Sequence, residues 1–301
     1  MSQANHAGHD PVLLDEVLKG LALESGQIAI DCTLGRAGHA REIALRLGSG
    51  GLLIGLDADP ANLEFARTRL ADAPCQVRLF HANFAQLDDV LAEINPPGVN
   101  FILADLGVST NQLFDARYGL SFSDDMPLDM RLDPREPLSA ADLVNRLPEA
   151  ELADVLYELA QERFSRRIAR KIVDARRTSP ITSTERLAEI VRSAIPSRGA
   201  SREKIDRATR TFLALRMKVN REQENLAALL EIAPNRLSHG GRLGIISFQS
   251  SEDRMVKQAF RSAERTGLLR IVTKKPITPS PAELASNPRS RSAKLRVAEK
   301  L

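Results

Sequence analysis

The chain has 301 residues, of which 43% are hydrophobic and 27% charged, and a formal net charge of +3. That balance excludes a wholly disordered chain and leaves room for one large domain or two modest ones. Apolar runs stay short of the roughly 20 residues that span a bilayer, the polar first ten residues lack the apolar centre of a secretory signal, and two cysteines, Cys32 and Cys75, are too few for a disulfide framework or a zinc site. A reducing, cytoplasmic setting is expected, with no membrane association.

In chain order, residues 27–31 (QIAID), 52–57 (LLIGLD) and 101–105 (FILAD) read as buried parallel strands, with a weaker one at 76–80 (QVRLF). Helical patterns follow the first two, at 37–47 and 60–71, and Pro60 suits a first helical turn. The alternation stops near Leu113. A long loop rich in Asp, Met and Pro covers 118–137, and 149–177 places Leu152, Val155, Leu156, Leu159, Ile168, Ile172 and Val173 at helical spacing. Thr182 and Glu185 form a capping-box pattern before a helix that Pro196 ends, and a third helix covers roughly 201–220. The α/β pattern then resumes. It gives a helix at 222–237 with Gly240-Gly241 as C-cap, a strand at 242–248, a helix at 251–266, and strands at 268–274 and 293–299 joined by a Pro- and Ser-rich stretch. The expectation is an α/β fold whose sheet, built from 1–112 and 220–301, is interrupted by an all-helical insert at 113–219.

Charge follows the same division. Residues 161–221 hold 17 Lys and Arg against 6 Asp and Glu, a net of +11, so the rest of the chain carries −8. A concentrated basic segment on an acidic background suits a polyanion partner, although solvated helix faces give the same count.

In an open parallel sheet ligands bind where strands end and helices begin. The first such turn reads Asp31-Cys32-Thr33-Leu34-Gly35-Arg36-Ala37-Gly38-His39, with Gly35 and Gly38 allowing close backbone approach. Asp57, 26 residues beyond Asp31, suits vicinal ribose hydroxyls, and Phe84 suits a flat base. Asp105, directly after four apolar strand residues, needs a reason to be there, because a carboxylate in such a place is poorly solvated. Each feature has a plain alternative: a tight turn, a surface acid, a core aromatic. Their order and spacing together match a nucleoside-binding α/β domain. The turn lacks the third glycine of G-x-G-x-x-G, which disfavours a dinucleotide, and a P-loop is absent. Neither the five histidines nor the acids of 124–133 show metal-ligand spacing, so no metal is expected.

Further motifs run the length of the chain: His9-x-Pro11-Val12-Leu13-Leu14-x-Glu16, Asp105-Leu106-Gly107-Val108-Ser109 with Gln112, Pro127-Leu128-Asp129-Met130-Arg131, Glu162-Arg163-Phe164, Ala208-Thr209-Arg210-Thr211-Phe212, Ile246-Ser247-Phe248 and Asn287-Pro288-Arg289-Ser290-Arg291-Ser292. With the Asp31–His39 turn, they resemble the ribosomal RNA small subunit methyltransferase H family, also called MraW, from about His9 to Leu301. The resemblance implies a class I, Rossmann-like methyltransferase sheet with an inserted helical domain. It implies methyl transfer from S-adenosylmethionine to N4 of a cytosine in the decoding region of 16S ribosomal RNA within the small ribosomal subunit. It carries cofactor contacts onto Ala37, Gly38, His39, Asp57, Phe84, Asp105 and Gln112, with Asp105 also the candidate catalytic group. Departures from the family pattern are Ala37 in place of glycine, Asp206-Arg207 in place of His-Pro, and Gln249 and Ser251 in place of His and Leu.

Methylating a cytosine amine requires the base to leave its stack. Tyr118 and Phe122 are candidates to receive it, and Arg166, Arg167, Arg170 and Arg210 are candidates for phosphate contacts. A small-molecule methyltransferase and a non-catalytic assembly factor are the rival readings. The basic segment argues against the first, and the intact Gly38, Asp57 and Asp105 against the second.

Overall fold

Runs of apolar residues too short to be helices are buried here as adjacent strands, each shielding its neighbours. A computed structural model of the chain describes residues 11–196 and 206–301, so His9 and residues 201–205 of the expected third helix lie outside the described residues. The chain divides into two units, Met1–Gly107 with Gln223–Leu301, and Val108–Glu222. The first unit holds seven strands: β1 (Ile28–Asp31), β2 (Leu52–Asp57), β3 (Gln76–His81), β4 (Val99–Asp105), β5 (Leu237–Ser247), β6 (Leu269–Ile271) and β7 (Lys294–Lys300). Their order is β3-β2-β1-β4-β5-β7-β6, with β1 to β5 parallel and β7 antiparallel to both neighbours. This is the α/β sheet expected, and the reversal of order beside β1 opens a crevice at the carboxyl ends of β1 and β4.

Alternate residues feed two apolar layers. On one face Ala29, Leu53, Phe101 and Leu103 pack with α1 (Leu14–Leu21), α2 (Gly38–Leu47) and α3 (Pro60–Arg69); on the other Ile30, Ile54 and Ile102 pack with α4 (Leu87–Ile94). Neither α1 nor α4 is expected from the sequence pattern. Asp59 caps α3 by accepting the Ala61 N–H, with Pro60 at the first turn.

The second unit is helical: α5 (Thr110–Phe114), α6 (Ala140–Arg146), α7 (Glu149–Ala160), α8 (Ser165–Thr178), α9 (Thr184–Ala194) and α10 (Thr209–Val219) surround their own core of Leu128, Leu152, Leu156, Ile168, Ile172, Leu187 and Leu215. The single long pattern at 149–177 is two helices. Gln161 turns left-handed at φ 52°, and the Glu162 carboxylate accepts the Phe164 N–H at 2.9 Å to start the next helix. The common apolar face hides this break, since both helices bury it against one core. The cap of α9 is Ser183, not Thr182; its hydroxyl accepts the Arg186 N–H.

Returning to the sheet, α11 (Glu222–Arg236) and α12 (Ser250–Arg265) cover the face shared with α4, through Leu226, Leu229, Val256 and Phe260. Gly240-Gly241 is not a helix C-cap. β5 begins at Leu237, and the glycines sit in an irregularity where Val99 pairs with Leu237 but Phe101 pairs with Arg242. Gly240 has φ 76° there. The Pro- and Ser-rich stretch contains α13 (Pro281–Ser286) and a 3₁₀ turn at Pro288–Ser292. Among the described residues no helix is long and apolar enough to cross a membrane.

Candidate active site

Four chain segments meet at the carboxyl ends of β1, β2 and β4. The β1 turn is shaped by left-handed residues: Gly35 at φ 52° and Ala37 at φ 57°. Ala37 adopts the conformation a glycine takes freely, so this departure keeps the turn's path at a cost of about 1 kcal/mol. α2 starts at Gly38, where a Cβ would stand 3.2 Å from the Pro11 ring, which leaves little room for a side chain.

Asp57 ties the β1 turn to the β2 turn. Its Oδ2 accepts the Gly35 N–H at 2.7 Å and the Asn62 amide at 3.3 Å, and its Oδ1 accepts the Asp59 N–H at 2.8 Å. A carboxylate offers about four acceptor positions, so one remains on Oδ1, and a second opens if Asn62 yields. Burial pushes Asp57 up to about 6.

Asp31 belongs to this group, although the sequence pattern assigns it no role of its own. It is 2% exposed, and burial raises it to about 7, helped by the neighbouring charge of Asp57. Its Oδ1 accepts the Thr33 N–H at 3.1 Å. Thr33 in turn accepts the Asp105 N–H on its hydroxyl at 2.6 Å, which locks the ends of β1 and β4 together.

Asp105 is the least satisfied group of the site. Its Oδ1 is buried without a hydrogen-bond partner, and its Oδ2 lies 3.9 Å from Nδ1 of His39, itself 6% exposed. Burial, Asp31 and Glu252, in that order, hold the Asp105 carboxyl well above the usual range. Glu252 is the other acid that the sequence pattern misses: it is 4% exposed and accepts the N–H groups of Phe248 and Gln249, both at 2.9 Å, fixing the turn after β5. Asp31 shares with Asp105 the one signal that could reveal it, an acid closing an apolar strand. Glu252 carries only the weaker Gln249-x-x-Glu252 pattern of a helix start.

Phe84 stands on a 3₁₀ turn just after β3, partly buried against the α4 side of the sheet. Ala37, Gly38, His39, Asp57, Phe84 and Asp105 all belong to the first unit. Gln112 belongs to the second, on α5, where its Oε1 accepts the Ser109 N–H at 3.0 Å and the Ser109 hydroxyl at 2.9 Å.

In the helical unit, α8 buries Ile168, Ala169, Ile172 and Val173 and exposes Arg166, Arg167 and Arg170. Arg166 and Arg167 face no acid among the described residues, Arg170 meets Glu149 at 3.5 Å, and Arg210 donates to the Gln161 carbonyl at 3.2 Å. Tyr118 and Phe122 are not poised in an open loop. Tyr118 is 8% exposed in the helical core, and Phe122 stacks edge-on with Phe212 at 4.7 Å. Asp206 pairs with Arg192 at 2.9 Å, and Arg207 donates to the carbonyls of Arg192 and Ile195 at the end of α9.

A doubly wound sheet of this order, with acids closing β1, β2 and β4, defines a Rossmann-like domain of the methyltransferase class. The MraW methylase family model matches residues 6–301, and the chain belongs to that family. It is similar to the ribosomal RNA small subunit methyltransferases H of Acidobacterium capsulatum, at 46% identity over 97% of this chain and 98% of the relative, and of Desulfosudis oleivorans, at 43% over 97% and 99%. That of Desulforapulum autotrophicum is 45% identical over 96% of this chain and 98% of its own length.

Proposed function

We propose that this chain transfers the methyl group of S-adenosylmethionine to N4 of a cytosine in the decoding region of 16S ribosomal RNA, in the cytoplasm. The observation that carries the reading is the buried, unpartnered Oδ1 of Asp105 beside Asp31 at the crevice of a methylase-family sheet. An acceptor without a donor in a desolvated place costs free energy unless a ligand supplies one.

The residues suit S-adenosylmethionine. Its ribose hydroxyls, ammonium and sulfonium are donors and positive charge, and the crevice is lined by three carboxylates that accept and repel one another. In this reading Asp57 takes a ribose hydroxyl on its open Oδ1 position, Phe84 lies against the base, and the backbone of Ala37, Gly38 and His39 passes along the ligand. Gln112 contributes from its own unit. The bound cofactor supplies an electrophilic methyl group. Asp105 holds the incoming amine in line and takes the proton it loses, and the low dielectric around it strengthens that interaction.

The helical unit is assigned to RNA. Arg166, Arg167 and Arg170 on α8, with Arg210, contact phosphates, which fixes register without reading sequence. Charge reversal of the three α8 arginines is expected to weaken RNA binding and leave cofactor affinity unchanged.

The test is methyl transfer from labelled S-adenosylmethionine to small ribosomal subunits from cells lacking this gene, followed by nucleoside analysis. Label in N4-methylcytidine supports the reading. Label in another nucleoside overturns the target atom, and absence of cofactor binding overturns the reading altogether.

A further inference from the structure

The exposed arginines of the 3₁₀ turn Pro288–Ser292 have no part in the site described so far. Antiparallel pairing of Ser247 with Lys294 puts the start of β7 at the carboxyl end of β5, the same edge of the sheet on which Asp31, Asp57 and Asp105 sit. The turn leads directly into that start. Ser290, at its centre, is fully buried, and its N–H and hydroxyl both donate to the Asn287 carbonyl, at 3.0 and 2.8 Å. Its own carbonyl accepts the Ala293 N–H at 2.8 Å. With Ser290 pinned inward, Arg289 and Arg291 on either side are exposed.

A second tie runs from α13 to the reacting end. Glu283 accepts the Leu13 N–H at 2.8 Å, and the preceding residue, Val12, offers its carbonyl to Nε2 of His39 at 2.9 Å, next to Asp105. Nearby cations are already committed: Arg296 and Lys294 face Asp253 at 2.7 and 3.6 Å, and Arg242 faces Glu299 at 3.0 Å. Arg291 faces no acid among the described residues. An ordered turn that presents guanidinium forks beside a nucleoside site suits phosphate oxygens, which such forks bind in bidentate fashion.

We propose that Arg289 and Arg291 form a phosphate clamp on the methyltransferase unit, gripping the RNA backbone at the nucleotide to be methylated. The clamp rests on the RNA reading above and adds contacts from the unit that performs the chemistry, distinct from those of α8. It holds the target strand over the crevice while the base enters.

The test is the salt dependence of binding of a fluorescent decoding-region RNA fragment to the full chain. Arg289→Ala with Arg291→Ala is expected to lower affinity about tenfold near physiological salt and to reduce the salt slope by about 0.7 for each phosphate left without its arginine. Cofactor affinity and melting temperature stay at their wild-type values. Arg289→Lys with Arg291→Lys restores the slope, because charge is kept, but only part of the affinity. Arg261→Ala with Arg265→Ala serves as the positional control, since both are exposed on the last turns of α12, which runs back from that edge of the sheet. Wild-type binding with an unchanged Arg289/Arg291 variant overturns the clamp alone. An equal loss in the control pair also overturns it, because the effect is then diffuse charge. Salt-insensitive or absent binding by the wild type overturns the RNA reading and the clamp together.

Discussion

Nδ1 of His39 lies 3.9 Å from Oδ2 of Asp105, while Nε2 of the same ring meets the Val12 carbonyl at 2.9 Å. A carbonyl only accepts, so Nε2 carries the proton, and a neutral ring presents Nδ1 as an acceptor toward the acid. Asp105 is thus backed by a group that accepts a proton from it and holds it in place. Asp105→Asn keeps the shape and removes the charge. Turnover is expected to fall at least about 100-fold, the usual contribution of a positioned acid or base, with a much smaller loss of cofactor affinity. Single-turnover rates and a binding titration separate the two, and full activity in this variant removes Asp105 from the chemistry.

The carboxylates give the site a pH dependence with a defined sign. Asp57 rises from the ordinary 3.8 to about 6 and Asp31 to about 7, chiefly through burial. Between the ordinary value and the raised one, the folded chain binds more protons than the unfolded chain. Stability therefore falls as pH rises through that window, the reverse of a salt-bridged acid. A ligand that brings donors and positive charge favours the ionised carboxylates, so S-adenosylmethionine binding tightens from about pH 5 to about pH 8 and releases protons. Calorimetry near pH 6 in two buffers of different ionisation enthalpy measures that release, and proton uptake is the outcome that rejects it.

The parts of the fold that repeat a simple pattern are legible in the sequence. β2 spans 52–57 as its apolar run implies, and the acids closing β2 and β4 stand out because such a run makes them conspicuous. The motif resemblance reaches further, to the family and the sheet class. What stays hidden depends on contacts distant in sequence. Gln161 breaks α7 from α8 through one left-handed residue inside an unbroken apolar stripe, and Gly240 mimics a helix cap while serving a bulge beside β4. The partnership of His39 with Asp105 needs β1 and β4 side by side, which periodicity along either strand does not reveal.

Gly119 tests the loop that closes the helical core. It has φ 59°, and a Cβ there would overlap the Pro127 carbonyl oxygen, with the Asp129 nitrogen at 3.2 Å. Both obstacles are backbone, so neither yields as a flexible side chain does. The segment is pinned further by the Met130 N–H donating to the Tyr118 carbonyl at 2.7 Å. Gly119→Ala is expected to destabilise the helical unit by about 3 kcal/mol and to raise hydrogen exchange across residues 118–130. Unchanged exchange there would show that the loop accommodates the methyl group.

Asp206 and Arg207, where this chain departs from the family pattern, act on their own unit. Asp206 takes Arg192 at 2.9 Å and the Ala208 N–H at 2.8 Å, starting the turn into α10. Arg207 donates to the Arg192 and Ile195 carbonyls at 3.1 and 2.9 Å, satisfying acceptors that the end of α9 leaves open. Arg207→Ala exposes those acceptors and is expected to cost about 1 to 2 kcal/mol of stability, with RNA affinity changed less than about twofold, since one phosphate contact is worth more than that in salt-dependent binding. Denaturant unfolding and RNA titration of the same variant decide between the two roles. A stable protein with strongly weakened RNA binding would assign Arg207 to the RNA instead of to the end of α9.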